Sequence, residues 1–368
     1  MITYCSNIHP GESFDEIFSN LQTHFLTVKK AVSPDKPFPI GLRLSNRAAF
    51  EIDEKTSARF QEWYQENGCF IPTINGFPYG PFSSSPVKER VYLPDWRHFE
   101  RVIYTKRLAT LLDSWLPPGV KGSISTLPIG FRKHIDTADL RVVKKNLINA
   151  LEHLDRLRQK SGKEIILSLE PEPACHLETV KETIQFFEQM AFSEGLKEGL
   201  GVCLDGCHQA VEFESPSESL KLLSDAQIKI GKVQISSALR IEDFDRKVLE
   251  KFCDPIYLHQ VVIRQKDGRF LRYDDLSEAL THHPAGPDEE WRIHLHVPVF
   301  IDKMEKYGTT RFFLEEILSL LDRDILLEVE TYNWHVLPTE LRTETVTHSI
   351  IREMEWVKAR RDEKNSYS

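Results

Sequence analysis

Short apolar runs alternate along the whole chain with longer stretches in which apolar positions recur every three to four residues. A run such as Ile165-Ile166-Leu167-Ser168-Leu169 has the length and near-continuous hydrophobicity of a strand buried on both faces, as in parallel sheets covered by helices. Runs of this kind predict strands near 2–8, 39–45, 70–75, 122–128, 164–170, 200–205, 230–236 and 325–331. The helical periodicity predicts helices near 12–31, 52–66, 97–114, 138–160, 177–190, 216–226, 242–252, 309–322 and 339–361. Eight strands alternating with helices is the pattern of an α/β fold of the (β/α)₈ TIM-barrel type.

The spacing carries one irregularity. The strand ends fall at Asn7, Leu44, Asn75, Leu127, Glu170, Asp205 and Gln234, each separated by one strand-helix unit, but Gln234 to Glu330 spans 96 residues. One unit takes roughly 35 residues, which predicts an insertion of about 60 between strands seven and eight. Tyr257–Ile263, Arg269–Tyr273 and Trp291–Pro298 read there as an antiparallel excursion over the C-terminal mouth, centred on 253–300. A second long loop, Phe77 to Trp96, is rich in Pro, Gly, Ser and aromatics, the composition and length of a lid or binding loop. No linker composition intervenes, so 1–368 is expected to be a single TIM-barrel domain.

Composition narrows the function classes. A net charge of −9, with no basic block besides Lys358-Ala359-Arg360-Arg361 near the C-terminus, argues against a nucleic-acid partner. No run approaches the ~18 apolar residues of a membrane span, so no membrane insertion is expected. The first residues carry neither a basic region nor a long apolar segment, and six dispersed cysteines suit a reducing compartment, so the expected location is cytoplasmic.

The chemistry lies at the strand ends. Glu170, Asp205 and Glu330 each close an apolar run, and a carboxylate at a buried strand tip is costly unless it is paired or meets a cation. Several such tips converge on one end of a barrel, which makes a divalent-metal site the expected product. Glu330 is favoured over Glu328, one step deeper on the same face. Removing one of the clustered carboxylates is expected to weaken metal binding and to relieve like-charge repulsion. Cys203 and Cys207 have no second pair at zinc spacing and read as packed thiols. Gln234, at the end of strand seven, offers a carbonyl oxygen but no imidazole. His294 and His296 share one face of a strand by alternation, so either Gln234 or His296 completes the metal set. Asn7, His9, Asn75, Tyr79, His208 and His294 are the candidate substrate-binding groups on the same rim, and Tyr332 and Trp334 a candidate apolar wall.

Glu170, Asp205-x-x-His208 and Glu330 resemble the ligand pattern of the xylose isomerase-like TIM barrels, which include sugar isomerases and epimerases. In that superfamily strand seven supplies a histidine, where this chain has Gln234. A closer resemblance lies in Tyr4-Cys5-Ser6-Asn7-Ile8-His9-Pro10-Gly11-Glu12, Asn75-Gly76-Phe77-Pro78-Tyr79-Gly80, Gly201-Val202-Cys203-Leu204-Asp205-Gly206-Cys207-His208 and His294-Leu295-His296-Val297-Pro298. These segments are similar to the EboE family of metabolite-traffic proteins, which implies a specialised-metabolite export or processing pathway and partners from it.

Two readings follow. In the first, a divalent metal (Mn²⁺, Mg²⁺, Co²⁺ or Zn²⁺) held by Glu170, Asp205, Glu330 and Gln234 or His296 serves an isomerase or epimerase of a sugar-like or cyclitol-type polyol. Glu170 and Glu330 are then the catalytic pair, exchanging protons with the two faces of one carbon. In the second, the barrel is a non-catalytic binding protein or scaffold for a pathway intermediate.

Overall fold

The computed structural model describes residues 1–81, 86–286, 288–342 and 344–363; part of the 77–96 loop therefore lies outside the described residues. Seven strands come first: β1 (Ile2–Tyr4), β2 (Phe38–Arg43), β3 (Cys69–Asn75), β4 (Gly122–Thr126), β5 (Ile165–Leu169), β6 (Leu200–Asp205) and β7 (Lys229–Ile235). Five more follow: β8 (Ser237–Ile241), β9 (Val261–Arg264), β10 (Phe270–Tyr273), β11 (Glu290–Val297) and β12 (Gly308–Thr309). The last, β13 (Leu327–Val329), returns to the first group and makes an eight-stranded parallel sheet in the order β1-β13-β7-β6-β5-β4-β3-β2.

The ends of that sheet meet. A parallel bridge joins Cys5 to Gly41. Thr3 Oγ1 donates to the Pro39 carbonyl at 2.6 Å and accepts from the Gly41 amide at 3.2 Å. A hydroxyl thus substitutes for ladder bonds that β1 and β2 do not make, and the barrel closes. Gly41 is required there. A Cβ would lie 2.4 Å from the Tyr4 carbonyl oxygen and 2.0 Å from Glu328 Oε1.

Helices cover the outside. Phe99–Trp115 and Leu140–Ser161 follow β3 and β4, and Val180–Met190 and Pro216–Asp225 follow β5 and β6. Their starts are chemically marked: Thr179 and Glu182 form a capping box, and Ser215 caps a helix with Pro216 in its first turn. Among the described residues no helix is long and apolar enough to cross a membrane.

Inside the barrel, β7 carries a bulge. Val202 pairs with Ile230, but the next residue, Cys203, pairs with Lys232, so Gly231 is the extra residue. A Cβ on Gly231 would stand 2.1 Å from Ser168 Oγ. Past the bulge, Lys232 and Gln234 lie on the inner face with Asn75 and Glu328.

The 96-residue interval contains a five-stranded antiparallel sheet in the order β10-β9-β11-β8-β12. It begins at Ser237, directly after β7, and not near 253 as the sequence pattern suggested. The helix expected over 242–252 is reduced to short turns at Arg246–Leu249 and Glu250–Phe252, inside this excursion. Asp245 caps the first turn through the Lys247 and Val248 amides, so the helical signal is real. The helix that leads back to the barrel is Arg311–Leu320.

Candidate functional site

Three carboxylates from the strand ends meet at the C-terminal mouth. Glu170 follows β5, Asp205 ends β6 and Glu330 follows β13, and one carboxylate oxygen from each lies within 4.8 Å of the other two. Asp205 is also the cap of the Gly206–Val211 turn of helix: its Oδ1 accepts from the His208 amide and from Ser236 Oγ, both at 2.8 Å. Gly206 permits that abrupt exit, since a Cβ there would come within 2.6 Å of Leu314 Cδ2 and 3.0 Å of the Ser236 carbonyl. Asn7 Nδ2 donates to Glu330 Oε1 at 2.7 Å.

β11 brings the imidazoles. His296 donates through Nδ1 to the Glu330 carbonyl at 2.8 Å, which leaves Nε2 as the lone-pair nitrogen. A nitrogen of His296 lies within 4.8 Å of ligand atoms from Asp205 and His208. His208 binds the Pro171 carbonyl at 2.9 Å, and its Nε2 is 3.1 Å from Nε2 of His294. Cys207 lies close to His294 and His296, but burial pushes its thiol well above the ordinary range, so it is a packed, protonated neighbour.

Among the described residues, Asn7 Oδ1, Asp205 Oδ2, Gln234 Oε1 and His296 Nε2 are buried with no hydrogen-bond partner. All four carry lone pairs and none carries a proton to donate. Unpaired buried acceptors cost about 1–3 kcal/mol each, and a cation satisfies several at once. Three carboxylates, one imidazole and neutral amide oxygens are a donor set suited to a divalent metal.

The electrostatics agree with that fit. Burial, followed by the charges of Asp205, Glu172 and Glu328, pushes the Glu170 carboxyl up to about 8, with Lys232 opposing. Burial raises Glu330 well above the usual carboxylate range, and Glu170 and Asp205 add to this. Burial would raise Asp205 too, but His208, His296, the His208 amide and the Ser236 hydroxyl outweigh it and hold the carboxyl below its ordinary value. Asp205 is therefore the committed anion of the group, while Glu170 and Glu330 hold protons until a cation displaces them.

Beneath the mouth lies a second layer. Lys232, fully buried, forms an ion pair with Glu328 and donates to Asn75 Oδ1 at 2.6 Å. Asn75 Nδ2 reaches both Glu328 oxygens at 3.1 Å, and Gln234 Nε2 donates to Asn75 Oδ1 at 3.1 Å. Burial lowers the lysine's proton affinity, but Glu328, then Cys203 and Glu170, overcome it and raise the value. Lys232 was not among the residues singled out from the sequence. Its signal is there: a lysine within Ile230-Gly231-Lys232-Val233-Gln234, inside a strand buried on both sides, needs an anion. Glu172, two residues past Glu170, is also buried and accepts from Tyr92 Oη at 2.6 Å.

A pocket opens above the carboxylates. Asn7, Asn75, Glu170, His208, His294 and Glu330 supply its polar wall, and Phe77, Val87, Tyr92, Tyr257 and Tyr332 its apolar one. Two expected substrate groups are elsewhere. His9 turns outward to stack on His24, with centroids 4.5 Å apart, and bonds the Tyr4 hydroxyl at 3.1 Å. Tyr79 packs edge-on to Tyr104 and under the Arg101 guanidinium. Each follows its strand by several residues, so chain direction has already turned away from the mouth. Trp334 is also absent from the lining, while Tyr332 packs against His296 at 4.8 Å.

No known family profile matches the sequence, and no curated protein matches it. Solved structures do. The chain is similar to the IolI protein with a bound zinc atom (14% identity, TM-score 0.53, covering 99% of this chain and 98% of the other). It is similar to a xylose isomerase-like TIM barrel protein from Mycobacterium smegmatis in complex with magnesium (11% identity, TM-score 0.54, 99% and 97%). It is also similar to an L-ribulose 3-epimerase (11% identity, TM-score 0.50, 100% and 96%). Likeness at these identities concerns the fold.

Proposed function

We propose that this xylose isomerase-like barrel is a divalent-metal-dependent isomerase or epimerase of a sugar-like or cyclitol-type polyol. The observation that carries the reading is the convergence of one carboxylate oxygen each from Glu170, Asp205 and Glu330, with a His296 nitrogen close to Asp205, beside a pocket that Glu170 and Glu330 line; Asp205 Oδ2 and His296 Nε2 are buried there without donors. Glu170, Asp205, His296 and Glu330 would hold the metal, with Gln234 able to add its amide oxygen. Bound there, a divalent cation polarises adjacent substrate oxygens and stabilises the negative charge that develops when a neighbouring proton is removed.

The chain's own residues supply the rest. Glu170 and Glu330 enter from β5 and β13, separated around the barrel by β6 and β7, so they approach a ring or chain from different sides. Burial and the neighbouring acids raise the proton affinity of both above the usual carboxylate range, which suits groups that accept and return a proton. Asn7 orients Glu330, and Asn75 holds Glu328 beneath the site. Tyr92 and Tyr332 exclude water from the reacting carbon. The resemblance of Tyr4–Glu12 and His294–Pro298 to the EboE family supports a substrate belonging to a specialised-metabolite pathway.

The test is proton exchange. Metal-loaded protein incubated in D₂O with a panel of ketoses and inososes should introduce deuterium next to the carbonyl of at least one, and Glu170→Gln should abolish it. Tight ligand binding with no exchange into any compound would replace the enzyme by a binding protein.

A further inference from the structure

The hydrogen bonds around His208 and His294 constrain where their protons lie. His208 Nδ1 faces the Pro171 carbonyl at 2.9 Å, so this nitrogen must donate. His294 Nδ1 faces Gln260 Oε1 at 2.7 Å. The orientation of that amide is set by its other end, where Nε2 donates to the Pro173 carbonyl at 3.1 Å and to Tyr92 Oη at 2.9 Å. His294 therefore also donates through Nδ1. In their neutral forms both rings then turn a bare Nε2 lone pair toward the other, 3.1 Å apart, deep inside the protein.

Two facing lone pairs at that distance need something positive between them. A carboxylate oxygen of Glu172 lies within 4.8 Å of a ring nitrogen of each histidine, and its Oε1 is 3.9 Å from His294 Nδ1. We propose that His208 Nε2, His294 Nε2 and a Glu172 oxygen form a second cation site, of the nitrogen-rich kind that takes Zn²⁺ or Co²⁺, separate from the carboxylate site and open to the same pocket.

The geometry favours an ion over a proton shared between the rings. With metal–nitrogen bonds of about 2.1 Å, a 3.1 Å separation of the nitrogens corresponds to an angle of roughly 95° at the ion. The ring centroids are only 4.5 Å apart, so the ring axes run oblique to the line joining the nitrogens. Two ligands of one ion are oblique in this way, whereas a linear N–H···N bond would align both axes with that line. Each donor is also held from behind, as metal ligands are: His208 by Pro171, His294 by Gln260, and Glu172 by the Tyr92 hydroxyl at 2.6 Å. His208 Nε2 is 3.8 Å from Asp205 Oδ1, an oxygen already taken by the His208 amide and the Ser236 hydroxyl, so this nitrogen belongs with His294.

The inference does not depend on the carboxylate site, and one experiment separates the two. Full-length protein stripped with a chelator is titrated with Zn²⁺ and with Co²⁺, and bound metal is counted by elemental analysis after desalting. Two equivalents per chain are expected. His294→Ala and Glu172→Gln should each lose one, or weaken it tenfold or more, and Asp205→Asn should lose the other. A single equivalent lost with His294→Ala but kept in Asp205→Asn would uphold this site and remove the carboxylate one. A single equivalent indifferent to both His294→Ala and Glu172→Gln would overturn the inference, as would wild-type stoichiometry in both variants. Should His294→Ala fail to fold, the isosteric Glu172→Gln decides alone. A slowly exchanging imidazole proton between the two rings, detected by NMR in the presence of excess Zn²⁺, would show a shared proton there and also overturn it.

Discussion

Exchanging a carboxylate for its amide should have opposite consequences at Asp205 and at Glu170 when no metal is bound. Asp205 is held below its ordinary value by two imidazoles, an amide and a hydroxyl that outweigh its burial, so the fold favours its charge. Asp205→Asn is expected to destabilise the metal-free protein by on the order of 1–3 kcal/mol. Glu170 is pushed up to about 8 by burial and by its acidic neighbours, so Glu170→Gln should leave metal-free stability unchanged or raise it. Both should weaken Mn²⁺ binding tenfold or more. Urea unfolding and calorimetric titration of the two variants check each half. The sequence alone suggested relief of repulsion at both positions, because it shows three acids at strand ends but not which of them faces donors. Lys232 extends the same lesson. Lys232→Met leaves Glu328 buried without its cation and should cost about 3–5 kcal/mol, more than Lys232→Met combined with Glu328→Gln. Equal losses in the single and double variants would deny the pair its coupling.

The elements were legible in proportion to how local their causes are. The strands from β2 to β7 and the helices after them follow from apolar runs, caps and turn residues within a few positions of each end. β8 was not found, because Ser237-Ala238-Leu239-Arg240-Ile241 is short and its partners arrive about fifty residues later, with Leu239 pairing with Ile293. β11 was found, and its alternation does set His294 and His296 apart from Ile293, Leu295 and Val297. What alternation could not show is that β11 is buried along its whole length. At the β6 turn, Gly206→Ala would press a methyl against Leu314 and the Ser236 carbonyl. The expected loss is about 1–3 kcal/mol, accompanied by weaker metal binding because the turn carries Asp205. Thermal melts with and without Mn²⁺ should show both, and a variant that loses stability while keeping its affinity would uncouple the turn from the site.

At the scale of the whole molecule, the buried site makes metal-free stability depend on pH. Glu170 and Glu172 both rise to about 8 through burial, so their contribution is complete below about 4.5 and is lost as pH climbs to 8. His208, lowered from 6.5 to about 4 by burial, acts in the other direction, with stability lost as pH falls from 6.5 toward 4. Between pH 6.5 and 8 the raised carboxylates outweigh the remaining histidine contribution, and the Tm of the metal-free protein should fall across that window. A divalent metal at a hundred times its Kd adds about 2.7 kcal/mol, and since it replaces protons its effect should grow with pH, flattening or reversing the slope. A metal-free Tm that rises from pH 6.5 to 8 would contradict the placement of these groups. Strand and helix periodicity, the eight-fold alternation, and the acids at the ends of strands five, six and eight were determined by the sequence alone, because each depends on neighbours within a turn or two of the chain. The closure of β1 on β2 through Thr3, the Lys232–Glu328 layer and the opposed His208 and His294 nitrogens were decided only by tertiary structure. Each joins residues 36 to 96 positions apart, and at that range the sequence shows which donors and acceptors exist but not which of them meet.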